Sequence, residues 1–212
     1  MTSAFAVIAV AALASSAAAS PSFQRGFITI EPANGQWLFT ACGTRAAVAL
    51  VDRTAGHVQT EVVVEVRKVM QDRARGVFVE FRGWADERQA VVQRFFRALG
   101  YVADCPSAPA NIRPTTRLWA SGNEPFWRFD ATPKRATLTV PGSATLHFPP
   151  GAFERAKASA YEADTEAARL RLEIVEQPCM DTMAEAGFGA QAVLRLTRGG
   201  KTQTLKGCAA RF

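Results

Sequence analysis

Cys42, Cys105, Cys179 and Cys208, the histidines His57 and His147, and the thioethers Met180 and Met183 are the side chains here whose types suit redox, metal or nucleophilic chemistry. No two of the cysteines stand at the close C-x2-C spacing that a structural zinc site favours, so no metal is expected. Met180 and Met183 suit Cu(I), yet two methionines without a neighbouring histidine make a poor site. His57 and His147 fall in different halves of the chain and outside any nucleophile motif, and Ser121-Gly122 lacks a surrounding G-x-S-x-G. The neighbouring carboxylates Asp86 and Glu87, and Glu162 and Asp164, read as surface charge, whereas a hydrolase needs one such group buried with a raised pKa. No phosphate-cradling glycine loop occurs. Neither catalysis nor a cofactor is expected, and a hydrolase built on a buried carboxylate pair stands as the second alternative.

What remains for the cysteines is pairing. Residues 1–19 carry no charged side chain, run apolar from Phe5 to Leu13 over a length too short to span a bilayer, and end in Ala17-Ala18-Ala19. That pattern fits signal-peptidase cleavage, so a signal peptide over 1–19 and a periplasmic or secreted protein without a transmembrane segment are expected. Thiols delivered to an oxidising compartment tend to pair. Cys42 with Cys105 and Cys179 with Cys208 is the local connectivity, one bridge per half, and the one compatible with two independent domains. On the chain-entropy estimate each bridge stabilises its half by roughly 3 to 4.5 kcal/mol.

Lysine and arginine number 25 against 19 acids, for a formal charge of +6. Arg67, Lys68, Arg73, Arg75, Arg82, Arg88, Arg94 and Arg97 outnumber Asp72, Glu80, Asp86 and Glu87 in the stretch from Arg67 to Arg97. Such a run reads first as a solvated arginine-rich face and second as a contact for an anionic surface or an acidic partner. An exported chain without interleaved aromatic and basic residues is not expected to bind nucleic acid.

The elements that must position these residues are mostly strands. Phe27–Ile30, Trp37–Phe39, Ala46–Val51 and Val77–Gly83 read as half-buried antiparallel strands, with a hairpin signal at Asn34-Gly35. The β-branched run Val62-Val63-Val64-Glu65-Val66 reads as a further long strand. Residues 86–99 are ambiguous: Val91, Val92, Phe95, Phe96 and Leu99 recur at helical spacing behind Asp86 as N-cap, and a strand is the competing reading. Residues 107–116, rich in proline, read as a linker between an N-terminal domain over 20–106 and a C-terminal domain over 117–212. Beyond it, Phe126–Phe129, Ala136–Val140, Ala144–Phe148, a strand pair around Ala163-Asp164-Thr165, Leu170–Ile174, and a hairpin across Arg198–Lys201 complete seven or eight short strands. The fold expected is all-β, two small antiparallel barrel-like domains, the first compatible with an OB-like barrel carrying one helix.

Two motifs stand out in the second half. In Gly122-Asn123-Glu124-Pro125-Phe126-Trp127 a proline fixes the start of a strand, with Asn123 or Glu124 placed to accept backbone hydrogen bonds. The structural reading is a corner with an aromatic plug; the functional one is a barrel mouth lined by Trp119, Phe126 and Trp127 for an apolar or glycan ligand, with Asn123 and Glu124 as polar contacts. In Pro178-Cys179-Met180-Asp181-Thr182-Met183, Asp181 is placed to cap a short helix beginning near Thr182. These motifs, closing on Gly207-Cys208-Ala209, resemble those of a group of bacterial envelope proteins of uncharacterised role. The resemblance covers about 95 residues of the second half and implies a META/HslJ-like β domain in which Pro125, Asp181, Met183 and Gly207 are motif residues. The first half, through Trp37-Leu38-Phe39, Cys42-Gly43-Thr44 and Val77–Gly83, is similar to modules related to the copper-stress lipoprotein NlpE. The architecture is also similar to that of C-type lysozyme inhibitors. The function expected is a non-enzymatic binding or interaction module of the envelope, with an unidentified ligand or envelope protein as partner and a role in envelope stress response. The alternative is an inhibitor of a cell-wall hydrolase, which a charge of +6 disfavours against a cationic lysozyme.

Overall fold

Period-two alternation of apolar residues folds the first half around an inward face. The computed structural model describes residues 20–70, 76–106, 115–150 and 160–212. The expected signal segment 1–19, Asp72, Arg73 and Arg75 of the basic run, residues 107–114 of the expected linker and residues 153–159 lie outside the described residues.

Strands β1 (Ser22–Ile30), β2 (Trp37–Ala41) and β3 (Ala47–Asp52) pair antiparallel in sequence, the first two through the turn at Asn34-Gly35. β4 (Val77–Ala85) pairs with β1, and β5 (Gln89–Leu99) pairs antiparallel with β4 and parallel with β3, which closes a five-stranded barrel. With a helix between β3 and β4, this is the OB-like arrangement.

That helix, α1 (Val58–Val69), corrects the reading of Val62–Val66 as a strand. Val58, Val62, Val63 and Val66 are all buried against the barrel interior, and their spacing is that of one helical face. The start of α1 is held by Asp52 at the end of β3, whose Oδ2 accepts from the backbone N–H and the hydroxyl of Thr60 at 3.0 and 2.9 Å. A carboxylate at a helix N-terminus complements the dipole. Together, burial and the borrowed cap override the preference of β-branched residues for strands.

Residues 86–99 resolve as a strand. Asp86 Oδ1 accepts from the N–H groups of Arg88 and Gln89 at 2.8 and 2.9 Å, so it closes the turn into β5 instead of capping a helix. Those two bonds, Gln89 foremost, hold the Asp86 carboxyl below its ordinary pKa. The register shifts twice along the β4–β5 pair. Each shift inserts a residue into β5, so the barrel-facing set becomes Ala90, Val92, Phe95 and Ala98, whose steps of two and three imitate a helical period.

The second half builds an eight-stranded, nearly closed barrel-like sheet, confirming the all-β, two-barrel expectation. Its strands are β6 (Leu118–Asn123), β7 (Phe126–Ala131), β8 (Ala136–Thr139), β9 (Leu146–Phe148), β10 (Ala160–Asp164), β11 (Arg169–Val175), β14 (Ala190–Arg198) and β15 (Lys201–Arg211), in the order β10-β11-β14-β15-β6-β7-β8-β9. Its interior is filled by Trp127, Phe129, Tyr161, Leu172 and Leu194 among others. Tyr161 donates its hydroxyl to the Pro149 carbonyl at 2.6 Å, linking β10 to the segment after β9.

The short hairpin of β12 (Cys179–Asp181) and β13 (Ala186–Phe188) departs from the expected division at the linker. It joins the first sheet, with Ala186–Phe188 antiparallel to Arg97–Leu99 of β5. β3 covers β5 only as far as Val92, so the last residues of β5 need another partner. Gly187 lets the hairpin approach α1, because a Cβ there would lie 2.3 Å from Val62 Cγ1.

Two outcomes follow for stability. Val62→Ala should cost about 2–3 kcal/mol in urea unfolding, whereas Val69→Ala on the exposed side of α1 should be neutral or slightly stabilising, since alanine is the better helix former. Burial pushes the Tyr161 hydroxyl up to about 12. The unfolded phenol ionises near its ordinary value of ~10 while the native one keeps its proton, so stability should fall as pH rises from about 10 to 12. Denaturant midpoints across that range, in wild type and Tyr161→Phe, measure it.

Candidate functional site at the seam between the sheets

Where the two sheets meet, the outer face of the first barrel is itself apolar. Phe78 of β4, Phe96 and Leu99 of β5, and Phe188 of β13 are buried against Cys208 and Ala210 of β15, with Trp119 of β6 and Phe212 packed beside them. Trp119 stacks on Phe188 with centroids 5.0 Å apart, and Phe96 meets Phe212 at 5.0 Å. All four cysteines border this seam. The pairing is as expected, Cys42 with Cys105 and Cys179 with Cys208. The second bridge, however, joins β12 of the first sheet to β15 of the second, so it fastens the sheets together instead of stapling one half. Glu80 and Arg97, opposite each other on β4 and β5, are buried here, with Arg97 Nε donating to Glu80 Oε2 at 2.6 Å.

The sequence motifs converge on the same seam. Asn123 donates from Nδ2 to Asp181 Oδ1 at 2.7 Å, and the same oxygen accepts from the backbone N–H of Met183 and Ala184, each at 3.1 Å. Asp181 therefore caps a hairpin turn between β12 and β13, where a helix had been expected, and Asn123 is a donor where it had been read as an acceptor. Trp127 is buried in the second core and donates Nε1 to the Lys206 carbonyl at 3.1 Å. Gly207 is required by close approach, since a Cβ would sit 1.9 Å from the Ser121 carbonyl oxygen. Glu124 and Pro125, joined by a cis peptide bond, form an exposed turn.

The three rings expected to line a barrel mouth do not share a surface. Trp127 points into the second core, Trp119 lies in the seam, and Phe126 is 55% exposed. Strand alternation turns Trp127 away from Phe126, because adjacent residues on β7 face opposite sides, whereas Trp119 shares the outer face with Phe126 and is covered there by Phe188. Met183 is 71% exposed, at the turn that Asn123 ties to the Phe126 corner.

A cleft of about 160 Å³ opens elsewhere along the seam. It is lined by Gln93 and Arg94 of β5, Glu176 after β11, Gly189 after β13, Arg211 of β15, and Thr54 at the approach to α1. Arg211 Nη1 lies 3.8 Å from Glu176 Oε1. Burial pulls the Arg211 pKa below its ordinary value; Glu176 opposes that shift and the cationic Arg94 adds to it. Ala55, Val58, Phe95, Ala190, Ala209 and Ala210 complete its wall, so the cleft is largely apolar with charged and polar groups from both sheets reaching into it.

The described members of the basic run are spread over several elements. Arg97 is buried on Glu80, Arg67 and Lys68 sit on α1, Arg88 is in the β4–β5 turn, and Arg82 and Arg94 are direct cross-strand neighbours. Of the charged cleft residues, only Arg94 belonged to a signal readable in sequence. Glu176, Gly189 and Arg211 carry no local motif and are assembled by the β12–β13 hairpin. No helix among the described residues is long and apolar enough to cross a membrane, and none of their His, Cys, Asp and Glu side chains cluster to hold a metal ion. No protein-family model, curated protein or solved structure matches the chain.

Replacing Cys179 and Cys208 together by serine should lower stability by about 3–4 kcal/mol, the chain-entropy value for a separation of 29 residues. Because the bridge spans two sheets, hydrogen exchange should also quicken at β12 and β13 more than within β14. Equal quickening in all three strands would contradict that placement.

Proposed function

We propose that this chain is an exported, non-enzymatic binding module of the periplasm or extracellular space, serving the cell envelope, and that the seam cleft is where it takes its ligand. The observation that carries this reading is the cleft itself, in which charged and polar side chains from both sheets face one cavity. Ligand sites favour such junctions between packed units. Two disulfides support residence in an oxidising compartment. The resemblance of the GNEPFW, PCxDxM and GCA motifs to bacterial envelope proteins points the same way, and a part in envelope stress response is its finer form.

The exposed Phe126 and Met183 favour a second reading, inhibition of a cell-wall hydrolase. The hydrogen bond from Asn123 to Asp181 holds their two turns together as a unit a protein partner would meet. The net charge of +6 argues against a cationic lysozyme as that partner. A hydrolase built on paired carboxylates finds no support among the described residues, where the buried carboxylate, Glu80, pairs with Arg97.

Thermal unfolding with and without reductant, against a panel of phospholipids, peptidoglycan fragments, phosphate and Cu or Zn ions, tests the reading. A cleft ligand should raise the oxidised midpoint by mass action, and Arg94→Gln should remove that rise. The protein recovered from the extracytoplasmic fraction should begin at Ser20 by intact mass. A cytosolic protein retaining residues 1–19 would overturn the exported assignment.

A further inference from the structure

Arg82 on β4 and Arg94 on β5 are directly opposite each other in the antiparallel register. Like charges in that position destabilise a sheet unless something offsets them. The other arginine pair facing across strands, Arg171 and Arg195 on β11 and β14, shows how the chain does this elsewhere. Glu173 Oε1 takes Arg171 Nε at 2.8 Å and Arg195 Nη1 at 2.9 Å, and Glu162 meets Arg171 from β10. Among the described residues, neither Arg82 nor Arg94 has a carboxylate at ion-pair distance.

Arg94 faces the cleft, and Arg211 enters the same cleft from the other sheet. Glu176 stands 3.8 Å from Arg211, inside ion-pair range yet too far for a hydrogen bond. Two guanidiniums from separate strands present planar forks of donors suited to an anion with several oxygens. A carboxylate holds its two oxygens in one plane, whereas a tetrahedral phosphate, even a diester with two non-bridging oxygens, directs them so that guanidiniums approaching from two strands can each take one. The cavity of about 160 Å³ admits such a group, and a chain of net charge +6 raises the local concentration of anions.

We propose that the seam cleft binds a phosphate group, gripped between Arg94 and Arg211, with Glu176 as the resident carboxylate that the incoming anion displaces. This rests on the cleft being the ligand site of a binding module. The phosphate is that of a free ion or of an anionic headgroup, which share this chemistry. Arg82, opposite Arg94 across β4–β5, adds to the positive field without lining the cavity.

The test is titration of the full chain with inorganic phosphate, followed by amide NMR or calorimetry, and sedimentation with phosphatidylglycerol against phosphatidylcholine vesicles. Arg94 is exposed, so Arg94→Gln should fold normally and weaken binding by about tenfold or more, the loss expected for a charge-assisted pair. Glu176→Gln should strengthen binding by removing the competitor, a gain that a merely structural role for Glu176 would not produce. Arg198→Gln, on the distant β14–β15 turn, should change nothing. Phosphate binding that Arg94→Gln abolishes supports the site with a free anion as ligand; vesicle binding confined to phosphatidylglycerol and lost in Arg94→Gln supports it with a headgroup. Binding that survives Arg94→Gln, or no binding to phosphate and vesicles alike, overturns the proposal. If another panel ligand then still raises the midpoint through the cleft, the binding-module reading stands without it; if none does, both fall.

Discussion

The bridge between Cys179 and Cys208 ties a strand of the first sheet to a strand of the second, and the arrangement of both depends on it. Each barrel has its own interior core, yet neither interior requires the other sheet. What joins them is a third cluster, made from the outward faces of β4, β5 and β13 and the outward faces of β6 and β15. Aromatic residues dominate it, and rings such as Trp119 and Phe188 add geometric preference to the area they bury. The covalent tie restricts the separations the unfolded chain explores, so the seam forms at lower entropic cost.

Within that cluster the Glu80–Arg97 pair is a different kind of contribution. Desolvating two charges offsets most of their attraction, and an apolar pair of the same volume would hold the sheets about as well. Its value lies in register: Glu80 is opposite Arg97 across β4–β5 at the place where the pairing shifts by a residue. A slip of one position would leave a buried charge alone, which is costly. The same inserted residues turn Phe96 and Leu99 toward the seam while Phe95 and Ala98 stay inside the barrel. The position of Arg94 at the cleft follows from this local geometry.

Much of the fold was legible because alternation, turn residues and cysteine spacing are local signals. The hairpins at Asn34-Gly35 and Arg198–Lys201, the strand pair around Asp164, and both disulfides are found as read. Val62–Val66 was misread because its β-branched composition is strand-like, while the decisive influences, Asp52 as a cap and the barrel end as a burial surface, come from elsewhere in the chain. The hairpin of β12 and β13 was invisible as a member of the first sheet because its pairing with Arg97–Leu99 spans more than 80 residues of sequence. For the site, the motif residues Asn123, Asp181 and Gly207 could be singled out but not placed between two sheets, and the aromatic residues were assigned to a common mouth although alternation sends Trp127 inward and Phe188 covers Trp119. The charged cleft residues were legible only at Arg94, since Glu176 and Arg211 meet it through tertiary pairing alone.

The late hairpin also imposes an order on synthesis. A chain made from its N-terminus presents β1 to β5 first, yet the last residues of β5 have no neighbour on one edge until residues 186–188 arrive. During that interval Arg97–Leu99 is an open strand edge flanked by buried-type aromatics, the sort of surface that recruits a second chain. Cutting the gene at the connection after Cys105 would make that interval permanent: the first half would keep its barrel interior and Cys42–Cys105 bridge but bare its seam. The molecule therefore divides into two barrels in space without dividing into two independent segments of sequence.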